Sequence, residues 1–351
     1  TTIPEQSAEP RLSPEPASSA SAEIVNKLPS SAIESSVGSV ADIEKLIAAG
    51  DCFIHFEIAD DQLIGLGAAR LDQRINWDGK DLVALKKLLS LGGFGGWNTK
   101  DQRKKLHSVG IAPLAITDDA LLSSYLVDPL SKDLSPDSVI RQHAGIDITR
   151  QDPNELLSES DPSLDAWIYA VVSAVLLPNL EDNGQLGVYR DIEMPASEAL
   201  SRMELHGIAI DSQILNSQFD ELTKEVDEIA KQAFDIIGHE VNLASPKQLQ
   251  VVLFEELGMQ GTKSLKTGFS TNAEALTTLF EQTQHPFLER LLAHRDSTKL
   301  RQMTETLLKT VQADGRIHTT YSQVGTSTGR LSSENPNLQN IPIKTLRGQR
   351  L

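Results

Sequence analysis

Residues 326–351, TSTGRLSSENPNLQNIPIKTLRGQRL, decide how the rest of the chain is read. The stretch is polar and Asn-rich, with four basic residues (Arg330, Lys344, Arg347 and Arg350) and a single acid, Glu334. It follows a β-branched, alternating segment, RIHTTYSQVG, and then becomes irregular, punctuated by Pro336 and Pro342. Arg330, Asn337, Gln339 and Asn340 place hydrogen-bond donors along this turn-rich backbone. Such donors suit the purine N3 and pyrimidine O2 acceptors that every base pair presents in the minor groove. On residue type alone, a reader of duplex shape and an ordinary polar loop both remain open.

The charge distribution sharpens the question. The 351-residue chain carries a net charge of −17, which argues against a nucleic-acid coat over its whole surface. From Arg295 onward, however, nine Lys/Arg stand against four Asp/Glu, so this end is +5 and the preceding 294 residues are −22. A basic end on an acidic body fits one localised phosphate-binding face. On the stretch HPFLERLLAHRDSTKLRQMTETLLKTV, read as a helix from about 286 to 311, Arg295, Lys299 and Gln302 fall on one stripe that could hold successive phosphates or simply be solvated. Cys52 is the only cysteine, which excludes a disulfide framework and a cysteine metal cluster and points to a reducing cytosol. No run approaches the ~18 uninterrupted apolar residues of a membrane span, and no basic-then-apolar leader opens the chain.

Working back along the chain, three further regions separate. Residues 1–37 are rich in Ser, Pro, Ala and Glu and hold no aromatic, so a flexible linker is expected. Residues 38–188 alternate strand patterns (CFIHFEI, LIGLGAARL) with helix patterns (VADIEKLIAA, KDLVALKKLLS, DDALLSSYLV, DAWIYAVVSAVLLPNL), which predicts an α/β domain. From 189 long helices take over. EMPASEALSRMELHG has Pro195 near its start and Gly207 as its stop. Asp211 should cap a helix in which Leu215, Phe219, Leu222, Val226, Ile229, Ala233 and Ile236 form a heptad seam ended by Gly238. That helix would be roughly 35–40 Å long and pack as an antiparallel hairpin on the later one, an intermolecular coiled coil being the alternative. Ser245 with Gln248, and Thr271 with Glu274, read as capping boxes.

TSTGRLSSENPNLQNIP resembles the first palm motif of bacterial family A DNA polymerases, the DNA polymerase I family. IEMPASEALSRMELHGIAID, NLASPKQLQVVLFEELG and RDSTKLRQMTETLL are similar to that family's thumb, with a fainter likeness in DDALLSSYLVDP and DAWIYAVV. Only the first 37 residues lie outside the resemblance. It implies an α/β, ribonuclease H-like 3′–5′ exonuclease domain at 38–188, a mainly α-helical thumb at 189–314 and the first β-strands of a polymerase palm at 315–351. It implies that Arg330 contacts the minor groove at the primer end, that Asn337 and Gln339 contact the neighbouring duplex, and that Arg295 and Lys299 follow the DNA backbone. Lys263 and Lys266, in GTKSLKTGFS, would be weaker phosphate contacts.

Two departures from the family pattern set the functional expectation. Exonucleases of this kind use two metal ions about 3.5–4 Å apart, held by four carboxylates. Here FEIAD keeps Glu57 at the first position but has Ala59 at the second; Gln102 stands at the third, and YAVVS keeps Tyr169 but has Ser173 at the fourth. With three ligands replaced, the exonuclease fold is expected to be inactive and to bind no metal. Asp60 or Asp101 could substitute only through a register slip, and on a strand that turns the side chain to the other face. The second departure is that TYSQVG at Thr320–Gly325 imitates a polymerase Asp-Tyr-Ser-Gln motif with Thr for Asp, upstream of its proper place. The family's metal-binding palm aspartates and fingers helix are not in the sequence. The expectation is therefore a monomeric, cytoplasmic, nucleoid-associated piece of a DNA polymerase I that binds primer–template. Mg²⁺ and deoxynucleoside triphosphates would be used only by the intact protein. The alternatives are a stand-alone DNA-binding protein and an active exonuclease.

Overall fold

The structure is a computed structural model that describes residues 19–112, 115–150, 160–260, 264–265, 268–342 and 348–350. The chain divides into two compact units: Thr1–Leu205 with Tyr321–Ser332, and His206–Thr320 with Ser333–Leu351.

The first unit begins with α1 (Ser19–Val25), β1 (Ser35–Gly38), α2 (Val40–Ala48), β2 (Phe53–Ala59), β3 (Gln62–Ala69) and β4 (Arg74–Trp77). It continues with α3 (Leu82–Leu91), β5 (Phe94–Gly96), α4 (Thr99–Ser108), β6 (Ile116–Asp119), α5 (Ala120–Val127), α6 (Pro136–Ala144) and α7 (Pro162–Asp182). The strands form one mixed six-stranded sheet in the order β1-β4-β3-β2-β5-β6. β2, β3 and β4 run antiparallel to one another, while β1, β5 and β6 join in parallel. Period-two alternation along β2 feeds two cores. Ile54 and Phe56 pack with Leu85, Leu89 and Leu106 of α3 and α4, and Phe53 packs with Trp167, Ala170 and Val171 of α7. Helix α7 closes tightly on β3 because residue 67 is Gly: a Cβ there would overlap the backbone of Pro162 and Ser163. By length and composition α7 is apolar enough to cross a membrane, so the exclusion drawn from uninterrupted runs does not cover it; 72% of its most apolar window is buried in this core.

The described part of the expected linker is not free. The Ser21 hydroxyl on α1 donates to the Val175 carbonyl (2.7 Å) and Asn179 Oδ1 (2.9 Å), and Ile24, Val25, Leu28 and Ile33 pack against the α7 core. β1 then pairs with β4 from Ser35 to Gly38. A few apolar residues suffice here because they dock on a surface already formed, which composition alone does not register. Residues 1–18 lie outside the described set.

The helical run ending the first unit starts earlier than expected. A short α8 (Leu186–Val188) leads through a π-helical stretch at Tyr189–Glu193 into α9 (Met194–His206). Pro195 supplies no N–H to the preceding turn, and a widened turn is one way a helix accommodates that gap. Ser197, Ser201 and Glu204 of α9 are buried, so the division at Leu205/His206 falls later than a boundary near 188.

The second unit contains β7 (Ile208–Ala209), α10 (Ser212–Ile237), α11 (Pro246–Gln250), β8 (Ser264–Leu265), β9 (Gly268–Phe269), α12 (Ala273–Thr283), α13 (Pro286–Thr310) and β10 (Arg316–Ile317). β11 (Thr320–Ser322) and β12 (Ser332–Glu334) complete the strands. Asp211 caps α10 by accepting from Gln213 N and Ile214 N, and Gly238 ends it at φ +83. Ala233 shares a core with Phe287 and Leu291, and Leu215 shares one with Leu307, so α10 and α13 form the antiparallel hairpin. The seam is not a strict heptad: Ile236 is exposed and Phe234 and Ile237 pack instead, as expected when a straight helix drifts out of a seven-residue repeat. The capping boxes also differ. Ser245 accepts from Gln248 N, but the Gln248 side chain accepts from Asn242 N; the cap of α12 is Asn272, one residue past Thr271.

Candidate nucleic-acid interface

In the first unit the expected interface is residues 321–332. Tyr321 N donates to Glu204 Oε1 (2.8 Å), and Gln323 Nε2 donates to Glu193 Oε2 (2.7 Å) and to the Glu193 carbonyl (3.1 Å). Val324 packs against Leu122, Leu180 and Tyr189. The backbone then turns through Gly329 at φ +73, a conformation that favours Gly, and the Thr326 hydroxyl closes the loop. That hydroxyl donates to the Arg330 carbonyl (2.8 Å) and accepts from Arg330 N (3.2 Å). The Arg330 side chain is exposed at the end of this braced loop. Sequence reasoning singled out Arg330 but not these supports, because nothing local marks Glu193 and Glu204 as partners of a segment more than a hundred residues away.

Glu204 is in fact 3% exposed and forms ion pairs with Lys100 Nζ (2.6 Å) and with Lys104, both on α4. Asp101 belongs to the same cluster through Lys100 (3.1 Å) and Lys104 (3.0 Å). Burial alone would push the Asp101 carboxyl up, but the two ammonium groups outweigh it and hold the carboxyl below its ordinary range.

In the second unit the segment after Ser333 is shaped around Thr319. The buried Thr319 hydroxyl lies within hydrogen-bond distance of Ser333 Oγ (2.8 Å) and of the carbonyls of Glu334 (3.0 Å) and Pro336 (2.8 Å). Leu338 packs with Leu215, Leu307 and Ile317. Asn337, Gln339 and Asn340 are thereby left exposed between an anchored Pro336 and a half-buried Leu338 and Ile341. Asn337 Oδ1 accepts from Gln339 N (3.0 Å) and Asn340 N (3.2 Å), so its NH₂ is the group available as a donor. On α13, Lys299 and Gln302 are exposed while Leu300 and Thr304 face the core. Arg295 differs from its neighbours: it is half-buried and donates to the Thr271 carbonyl (2.6 Å), which ties α13 to the start of α12. Lys263 and Lys266 lie outside the residues whose side chains are described.

Of the positions expected to mark an exonuclease site, Glu57 and Ser173 line different cavities. Glu57 accepts from Ser160 Oγ and lines a cleft of about 800 Å³ with Arg74, Arg150, Asp161 and Asp165. Ser173 lines a different one, about 820 Å³, and donates to Asp118 Oδ2 (2.7 Å). Asp118 also accepts from the Tyr189 hydroxyl, and burial pushes its carboxyl above the ordinary range. The Tyr169 hydroxyl is bonded to His55 Nδ1 (2.9 Å), and its ring lies against Trp97 (5.6 Å between centroids). Gln102 is buried with its side-chain oxygen against Gly96, and Ala59 is exposed at the end of β2. Asp60 stands beyond β2 in the tight turn to β3, and Asp101 is held by lysines. Among the described residues, no three His, Cys, Asp or Glu side chains are grouped so as to hold a metal ion.

Residues 212–351 match the family model of DNA polymerase family A. The DNA polymerase I of Mycobacterium tuberculosis (strain H37Rv) is 40% identical over 248 residues, 67% of this chain and 27% of that protein. The thermostable DNA polymerase I of Thermus thermophilus is 35% identical over 295 residues, 83% of this chain and 33% of that protein. Among solved structures, the POL domain of Pol1 from M. smegmatis, in complex with DNA primer-template and dNTP, superposes with a TM-score of 0.78. It is 31% identical, and the match covers 90% of this chain and 57% of that one. The chain therefore spans about a third or less of the length of these curated relatives. With the helical hairpin and the TSTGRLSSENPNLQNIP motif inside the matched residues 212–351, and a structural likeness over 90% of the chain, the chain belongs to DNA polymerase family A.

Proposed function

We propose that this chain is the part of a DNA polymerase I that grips primer–template duplex while the intact protein adds deoxynucleotides to a primer 3′ end. The observation that carries the reading is the likeness over 90% of the chain to a domain solved with primer-template and dNTP. In this reading the α/β layer is the ribonuclease H-like, exonuclease-like domain, the α10–α13 hairpin is the thumb, and the segment from about residue 315 opens the palm. Arg330 would donate to minor-groove acceptors, and Asn337 and Gln339 would also contact duplex; Lys299 and Gln302 would hold backbone phosphates. Arg295 would contribute less to DNA than Lys299, because one of its donors already holds Thr271.

The same reading makes the α/β layer non-hydrolytic. Two-metal hydrolysis needs several carboxylates converging on one point, whereas Glu57 and Ser173 open to different cavities and each has a protein partner. The described residues do not fit a metal pair. Mg²⁺ would serve nucleotide addition in the intact protein, working as a monomer in the bacterial cytoplasm at the nucleoid. The test is fluorescence anisotropy with a labelled primer–template, followed by incubation with Mg²⁺ or Mn²⁺. The expected result is duplex binding that weakens steeply with salt and no shortening of the primer. Absence of binding at low salt sinks the duplex reading, and 3′-end shortening sinks the non-hydrolytic one.

A further inference from the structure

The loop that presents Arg330 has one more support, from a residue that no sequence pattern singles out. Tyr125 lies on α5 with its side chain 4% exposed. Its hydroxyl donates to the Thr326 carbonyl (2.7 Å) and accepts from Gly329 N (3.1 Å). One oxygen thus uses both of its hydrogen-bonding capacities on the two shoulders of a single turn. The Thr326 hydroxyl also closes the loop, on the backbone of Arg330. Gly329, at φ +73, has no side chain of its own with which to hold the turn. The ties through Glu204 and Glu193 act upstream, on Tyr321 and Gln323.

We infer that Tyr125 is a positioning residue for the duplex grip: its hydroxyl fixes the turn from which Arg330 reaches DNA. The inference rests on the reading of Arg330 as a duplex contact. It gives the α/β layer a use in the polymerase that involves neither a metal nor hydrolysis, namely to carry the buried face of the loop whose outer face meets the primer end. It also accounts for residues 321–332 being structurally part of the α/β unit although the chain on either side is not.

A double-mutant cycle on the full chain tests this, using Tyr125→Phe, which keeps the buried ring, and Arg330→Ala. Binding of a labelled primer–template and amide hydrogen exchange at Gly329 are the readouts. Tyr125→Phe is expected to raise Kd about three- to tenfold in the parent, the effect of losing hydrogen bonds of ordinary strength, and to leave Kd nearly unchanged when Arg330 is already Ala. Exchange at Gly329 should speed up by about tenfold or more, with the amides of α5 and the sheet unaffected. Equal weakening in both backgrounds, or unaltered exchange at Gly329, overturns the inference. If Arg330→Ala alone leaves Kd unchanged, the duplex reading falls and the positioning role toward DNA falls with it. The exchange rate at Gly329 then reports separately whether Tyr125 holds the turn.

Discussion

Helices α4 and α13 are both basic, yet their cations have opposite fates. On α4, Lys100 and Lys104 turn onto the buried carboxylate of Glu204, and Arg103 lies 3.8 Å from Glu198. On α13, Lys299 and Gln302 project into solvent one turn apart. A stripe of positive charge therefore does not identify a binding face. What decides is whether a neighbouring helix of the same unit places a carboxylate opposite. Where it does, the charge becomes internal structure; where it does not, the charge remains available to a phosphate.

The contrast breaks most visibly at Glu204. Glu204→Leu removes the buried partner of Lys100, leaving Asp101 beside it, and should destabilise the fold by about 3–5 kcal/mol, read as a lowered urea midpoint. A change below about 0.5 kcal/mol would mean that the cluster is ornamental. Next is Ser173→Asp, which returns a carboxyl to an expected metal-ligand position. Because Ser173 sits within hydrogen-bond distance of buried Asp118, the new carboxyl meets a second one, and the two cannot both ionise there without cost. The expected result is a loss of about 2–3 kcal/mol at neutral pH that Mg²⁺ does not repair. A Mg²⁺-dependent gain in melting temperature would show that the site can still be assembled.

Asp118→Asn sharpens the same point through pH. Burial raises the folded pKa of Asp118 above its unfolded value. Its contribution is thus fully present below about pH 4 and is lost as pH rises through the folded value. The Asn variant lacks this loss, so its stability relative to the parent should rise with pH above about 4. Parallel curves for the two proteins would show that Asp118 titrates normally. Asp42 works in the opposite sense: the Ser39 hydroxyl and Lys45 hold it at about 2, so its contribution disappears only in acid. The smallest effect is expected at Lys299→Ala. Duplex affinity should fall about threefold, with the salt slope reduced by about one, and the urea midpoint should not move. Arg295→Ala, by contrast, should move the midpoint as well, since Arg295 also holds Thr271.

Much of this architecture was legible in the residues. Period-two and heptad patterns located the sheet and the helical hairpin, and Asp211 and Gly238 bounded α10 to the residue. Arg330, Asn337, Gln339 and Asn340 are exposed, as the polar tail implied. The supports were illegible because each depends on a partner far away in sequence. Tyr125 meets Thr326, Glu204 meets Tyr321, and Ser21 meets Val175. Composition misread residues 19–37 for a related reason: it measures whether a segment can bury itself, not whether another element offers a surface for it. Caps drifted by one residue at Asn272 because Ser, Thr and Asn compete for the same role and local sequence does not rank them.

The return of Tyr321–Ser332 to the unit formed by the first 205 residues also matters to a ribosome. At roughly 5–20 residues per second, synthesis from Leu205 to Ser332 takes on the order of 6–25 s. During that interval nothing fills the places of Tyr321 beside Glu204 and of Val324 beside Leu122 and Tyr189, and the Tyr125 hydroxyl lacks its loop partners. Of the two units, the one synthesised first is therefore completed only after most of the other has been made. A nascent chain stalled at Leu205 should remain more open to proteases than one extended past Ser332.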